Sequence, residues 1–272
     1  MKIISNGIQY HVEVYGEGSI PIPLVLLHGF TGDTSTWTPF YDTWGKKVHL
    51  ISPDIIGHGK TESPDVLSRY QIESVAKDLK AILEHLDVKQ VDLLGYSMGG
   101  RLALTFALLF PTRVRKLILE SASPGLATED ERHLRRMKDE ELAHFIKERG
   151  IRSFVDYWEG IPLFQTIKRL PSAQKQIIRE QRLNNSPSGL ANSLLGMGTG
   201  SQPSWWGNLN KLTCEVMLLT GKEDKKFCDI ADKMMKELKN SSWKVIEGSG
   251  HAIHVEEPEK FGTIVSDFLS KE

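Results

Sequence analysis

Three side chains in this sequence could together carry nucleophilic or proton-transfer chemistry: Ser97, Asp224 and His251. A serine hydroxyl is a weak nucleophile and a weak base at neutral pH, so it needs a proton acceptor, and that acceptor needs an orienting carboxylate. Ser97 stands in Gly95-Tyr96-Ser97-Met98-Gly99-Gly100-Arg101, with a glycine two positions away on each side. A strand that turns abruptly into a helix strains the backbone at its apex, and small neighbours let the chain pass itself there. The serine oxygen then stands at the carboxyl edge of a sheet, beside the first N–H groups of the following helix. Asp224 and His251 each follow a later strand-like run, so all three residues are expected at strand exits along one edge. Glu223 competes with Asp224, but the shorter carboxylate suits a fixed turn. His254 competes with His251, which directly follows Gly248-Ser249-Gly250 and so belongs to the loop. The backbone N–H groups of Phe30 and Met98 are the candidate oxyanion donors.

The elements that must position these groups are legible as short apolar runs separated by helical spacing. Ile3 to Val14 alternates around Asn6-Gly7, a pair that favours a hairpin turn. Leu24–Leu27, Val48–Ser52, Val91–Leu94, Val114–Leu119, Val216–Leu219 and Trp243–Ile246 read as strands, those buried on both faces being continuously apolar. Helical segments separate them at 72–86, 102–109, 230–238 and 258–269. The rhythm breaks between roughly Glu129 and Trp206. There the spacing predicts charged amphipathic helices at 129–149, 151–158, 172–183 and 189–195, as an inserted helical cap over a cleft would require. The expectation is one α/β domain, a mostly parallel sheet with helices on both faces, formed by residues 1–127 and 207–272, with a cap at 128–206. His28 is expected to tie neighbouring loops together. Asp54 and His58, four residues apart, are expected to satisfy each other.

Composition narrows the partners. The 272 residues contain 34 Lys and Arg against 35 Asp and Glu, a net charge of -1, which gives no electrostatic case for nucleic acid. Cys214 and Cys228 show no metal-ligand spacing, and a reduced cytoplasmic setting is the simpler expectation. No apolar run is long enough for a membrane span, and the first residues lack the apolar centre of a signal peptide. No metal, dinucleotide or phosphate-loop pattern occurs, so no cofactor is expected; a monomer is taken as the default. At this level an ester hydrolase and a proton-abstracting lyase remain equally open, because one triad serves both.

Four stretches decide the resemblance. Leu27-His28-Gly29-Phe30, Asp54-Ile55-Ile56-Gly57-His58-Gly59, Gly95-Tyr96-Ser97-Met98-Gly99-Gly100 and Gly248-Ser249-Gly250-His251 resemble the α/β-hydrolase superfamily across essentially the whole chain. More narrowly, Gly95 to Arg101, Ser123-Pro124-Gly125-Leu126, Arg182-Leu183-Asn184-Asn185 and Thr220 to Phe227 resemble the 2-succinyl-6-hydroxy-2,4-cyclohexadiene-1-carboxylate synthases of menaquinone (vitamin K2) biosynthesis. That resemblance implies a lyase that eliminates pyruvate from a substrate with three carboxylates. It also implies Arg101, Arg135 and Arg182 as substrate-binding cations, with Arg136 an alternative to Arg135. Tyr96 and an aromatic of the cap, Trp158 or its neighbour Tyr157, are implied as further substrate contacts. A serine hydrolase acting on an ester or a vinylogous carbon–carbon bond of a small acid is the alternative.

Overall fold

The computed structural model describes residues 1–18 and 20–270. The chain opens with the hairpin β1 (Lys2–Ser5) and β2 (Ile8–Tyr15), whose turn residues Asn6 and Gly7 both take positive φ, 48° and 85°. It continues through β3 (Ile20–Leu27), the short α1 (Thr38–Trp44), β4 (Val48–Pro53), α2 (Ile72–His85), β5 (Val91–Tyr96), α3 (Met98–Leu109) and β6 (Val114–Glu120). The inserted helical region follows as α4 (Glu129–Trp158), α5 (Ser172–Leu183) and α6 (Pro187–Met197). Then come β7 (Glu215–Gly221), α7 (Lys225–Glu237), β8 (Ser241–Ile246), the single turn α8 (Ile253–Glu256) and α9 (Pro258–Ser270).

The eight strands lie in the order β1-β2-β4-β3-β5-β6-β7-β8. β1, β2 and β4 pair antiparallel; every later pairing is parallel. Apolar runs form the central strands because both faces are covered. Val25 and Leu27 pack into the core beneath α2 and α3, whereas Leu24 and Leu26 join the opposite core with Trp37, Phe40 and Phe261. Successive side chains on a strand point to opposite faces, so a doubly covered strand has no polar position to alternate with. α2 covers its face through Ile72, Val75, Ala76, Leu79, Ile82 and Leu83, all buried at helical spacing. Strand order reverses direction on either side of β3, and the carboxyl ends beside such a reversal form a natural crevice.

The structure adds the helix α1, which the sequence pattern does not announce, and moves several boundaries, α3 starting at Met98 and α6 spanning Pro187–Met197. α1 has no amphipathic signal of its own, since Phe40, Tyr41 and Trp44 crowd one short apolar helix. α7 begins five residues before Ile230 because the Asp224 side chain caps it, accepting from the Phe227 N–H. The long helix α4 is broken at Gly150, where φ is 74° and ψ is 174°, so it comprises two helices meeting at an angle, as the separate segments at 129–149 and 151–158 imply. Among the described residues, no helix is long and apolar enough to cross a membrane.

Candidate active site

Ser97 occupies a turn that its sequence makes possible. Its φ of 50° and ψ of -104° are strained for a non-glycine residue, a cost of roughly 1–3 kcal/mol. A Cβ on Gly95 would lie 2.3 Å from the Gly99 carbonyl oxygen, and one on Gly99 would lie 2.2 Å from the Leu27 carbonyl oxygen. Glycine at both positions therefore closes the turn and lets the loop after β3 pass against it. The Ser97 N–H donates to the Glu120 carbonyl at 2.8 Å, fixing the apex against β6.

The three residues named from the sequence converge. The Ser97 Oγ lies 2.9 Å from His251 Nε2, and His251 Nδ1 lies 2.6 Å from Asp224 Oδ2. With Nδ1 donating to the carboxylate, Nε2 is free to accept the serine proton. Asp224 is held by a second contact, since its Oδ1 accepts from the Phe227 N–H at 3.4 Å at the start of α7. The competitors are engaged elsewhere. Glu223 forms a two-pronged pair with Arg169 at 2.6 and 2.8 Å. His254 donates through its backbone N–H to Glu120 Oε1, and its Nδ1 sits 2.9 and 3.0 Å from the two oxygens of that buried carboxylate. Among the described residues, the N–H groups of Phe30 and Met98 donate to no protein acceptor, which leaves both available to an oxyanion.

Ser97, His251, Phe30 and Met98 open into a cavity of about 260 Å³ between the sheet edge and the inserted helices. Tyr96, Arg101, Arg135 and Trp158 line it as well. Trp158 packs its ring 5.4 Å from Phe30 and 5.7 Å from Phe164. Arg101 sits at the floor, donating through Nη1 to the Met197 carbonyl at 2.6 Å and to Gln202 Oε1. Burial, and then the neighbouring Arg135, push its guanidinium down to about 10, against the pull of Asp139; it stays charged at neutral pH. Arg135 reaches from α4 and donates through Nε to Asp139 Oδ1 at 2.8 Å. Among the described residues, no acidic side chain lines this cavity.

Other expected residues are placed apart. Arg136 turns to Glu129 and the Gly200 carbonyl, and does not line the cavity. Tyr157 is 53% exposed and packs on Phe145 outside it. Arg182 is 5% exposed but faces a second cavity of about 320 Å³, with Tyr96, Phe30 and Phe164 forming the wall between the two. Its guanidinium lies 4.9 Å from the Phe164 ring centroid and 3.6 Å from Glu159. Its neighbour Asn185 does the anchoring, donating to the Thr31 carbonyl and accepting from the Gly59 N–H. The expected Asp54–His58 contact does not form. Asp54 accepts from the Thr34 and Lys60 N–H groups, while His58 Nδ1 bonds the Ile56 carbonyl. Backbone donors held in fixed turns satisfy the carboxylate better than one imidazole could. His28 does tie loops, its Nε2 accepting from the Ile55 N–H and its Nδ1 meeting the Gly29 carbonyl.

Sequence reasoning did not single out Lys226, Phe227 and Phe164, which also line the cavity. The Phe227 and Phe164 rings lie 4.7 and 6.2 Å from His251. A signal existed for two of them: residues directly after Asp224 begin a helix at the same sheet edge, so their side chains must lie near it.

The α/β-hydrolase fold family matches residues 22–258. A Bacillus subtilis (strain 168) protein, provisionally named a 2-succinyl-6-hydroxy-2,4-cyclohexadiene-1-carboxylate synthase, is 45% identical over 98% of this chain and 97% of its own. The synthase of that name from Photorhabdus laumondii is 32% identical over 91% of this chain and 85% of its own. The solved structure of MenH from S. aureus superposes with a TM-score of 0.91 at 36% identity, covering 96% of this chain and 97% of its own. The chain therefore belongs to the α/β-hydrolase fold family and, within it, to the 2-succinyl-6-hydroxy-2,4-cyclohexadiene-1-carboxylate synthases.

Proposed function

We propose that this protein is a carbon–oxygen lyase of menaquinone biosynthesis. It removes pyruvate from 2-succinyl-5-enolpyruvyl-6-hydroxy-3-cyclohexene-1-carboxylate to leave 2-succinyl-6-hydroxy-2,4-cyclohexadiene-1-carboxylate. The observation that carries this beyond family membership is the charge of the cavity: Arg101 and Arg135 line it beside Ser97 and, among the described residues, no carboxylate does, in a protein of net charge -1. Such a site suits a polycarboxylate, and guanidinium forks bind carboxylates with two parallel bonds.

The chemistry follows from the two ring structures. The proton lost is on C2, next to the succinyl carbonyl, and the oxygen lost is on C5. Ser97 Oγ takes the C2 proton as its own hydroxyl proton passes to His251 Nε2, and Asp224 stabilises the imidazolium. The electron pair forms the C2–C3 double bond, the C3–C4 double bond moves to C4–C5, and the C5–O bond breaks. The departing enolate takes a proton back from the imidazolium and becomes pyruvate. Charge that gathers on the succinyl carbonyl oxygen during proton removal is met by the Phe30 and Met98 N–H groups. Tyr96 and Trp158 flank the ring, and residues 128–206 serve as a cap that excludes water. The monomer remains the default, and two free cysteines agree with a cytoplasmic setting.

The test is to supply the enolpyruvyl compound and follow two signals together: pyruvate through a lactate-dehydrogenase couple, and the conjugated diene by absorbance. Wild-type protein should give both in equal amounts. Ser97→Ala should lower kcat by roughly a thousandfold or more, the scale on which triad serines act. Pyruvate without the diene, no pyruvate from wild-type protein, or full turnover by Ser97→Ala would each overturn the reading.

A further inference from the structure

We infer that Lys226 is a further carboxylate-binding cation of the Ser97 cavity, beside Arg101 and Arg135. The inference rests on the proposed reaction, because a substrate with three carboxylates requires more than the two arginines that line the cavity.

Lys226 is the second residue of α7, two positions after Asp224, and lines the cavity mouth with Arg101 and Arg135. Each arginine already commits a donor to the protein, Arg101 to Met197 and Gln202 and Arg135 to Asp139. Among the described residues, the Lys226 ammonium has neither hydrogen bond nor ion pair. It rests 5.5 Å from the Phe227 ring centroid, and that ring in turn lies 4.7 Å from His251. Partial burial, and then Arg135, hold the ammonium below the usual lysine range, with Asp224 opposing. A cation crowded by another cation at the positive end of a helix is unfavourably placed until an anion arrives. Arg182, by contrast, faces the second cavity and already engages Phe164 and Glu159. A lysine differs usefully from the arginines here: a compact charge on a flexible stem follows a carboxylate without demanding one orientation.

The experiment compares Lys226→Met, Lys226→Arg and Lys222→Met with wild-type protein on the enolpyruvyl substrate, with the melting temperature of each recorded. Lys222 is a fair control because it lies outside the cavity and pairs with Glu247 on the surface. The expected result is a roughly 5- to 30-fold fall in kcat/KM for Lys226→Met, carried mainly by KM and modest because the site is partly open to solvent. Lys226→Arg should recover most of the loss, and Lys222→Met should show none. An unchanged kcat/KM in Lys226→Met, or an equal loss in Lys222→Met or Lys226→Arg, overturns the inference while wild-type pyruvate release leaves the proposed reaction standing. Absence of pyruvate from wild-type protein overturns both.

Discussion

Arg101 has two tasks that a single substitution would confuse. Its Nη1 donates to the end of α6 at Met197 and to Gln202, so it fastens the inserted helices to the floor as well as lining the cavity. Arg101→Ala should lower kcat/KM on the enolpyruvyl substrate roughly 10- to 150-fold, the equivalent of losing a charged hydrogen bond worth about 1.5–3 kcal/mol. It should also lower stability, because a buried carbonyl loses its donor. Gln202→Ala separates the two, since it removes an acceptor and leaves the cation in place. We expect it to reproduce part of the stability loss with kcat/KM within about threefold of wild type. Arg101→Lys should restore activity only in part, the ammonium lacking the planar fork. If Gln202→Ala and Arg101→Ala lower kcat/KM equally, Arg101 acts through the scaffold and not on the substrate.

The strands and their exits are the elements the sequence announces, because a strand covered on both faces must be apolar throughout and its exit must not be. Ser97, Asp224 and His251 were legible for that reason: each lies just beyond such a run, and local glycine and aspartate chemistry marks the turn. The inserted helices are legible as helices but not as placed surfaces. Arg135 and Arg136 are adjacent on α4, and only the packing of α4 against α6 and the Gly200 segment decides which faces the cavity. Arg182 belongs to a family-like string whose structural work is done by Asn185, three residues on. The break at Gly150 governs this placement, since Arg135 lies on one side of it and Trp158 on the other, yet both reach one cavity. A Cβ at Gly150 would meet nothing within 4 Å, so a substitution there is opposed by backbone conformation alone. Its φ and ψ fall in a region essentially restricted to glycine, and Gly150→Ala should cost roughly 1–3 kcal/mol. The helices would swing to relieve it, so kcat/KM should fall several-fold while Ser97 keeps its reactivity toward a small fluorophosphonate. Unchanged kcat/KM in a measurably destabilised Gly150→Ala would show that the angle of α4 does not set the site.

Across the whole molecule, 34 cations balance 35 anions, so general charge repulsion contributes little near neutral pH and mild acid must act through particular buried groups. His28 and His58 are the groups to examine. They lie behind the loop that carries Phe30, with their rings 5.3 Å apart, and each is almost wholly buried. Burial, and then the neighbouring His28, push the His58 imidazole down to about 3, while its Nε2 has no partner. Burial lowers His28 too, with Asp54 opposing. A histidine whose folded pKa is depressed binds its proton more readily in the unfolded chain. Stability is therefore full above the unfolded value near 6.5 and is lost as pH falls from there toward the folded value. Between about pH 6.5 and 5 most unfolded carboxylates remain ionised, so the histidines should dominate the slope in that window. His58→Asn keeps an amide N–H near the Nδ1 position for the Ile56 carbonyl and cannot take up a proton. Urea unfolding measured at several pH values should therefore show a shallower acid decline, by up to about 1.4 kcal/mol per pH unit, the slope contributed by one proton. A variant that is simply less stable by the same amount at every pH would mean that His58 titrates alike in the folded and unfolded chain. The acid sensitivity would then have to lie with His28 or with the carboxylates.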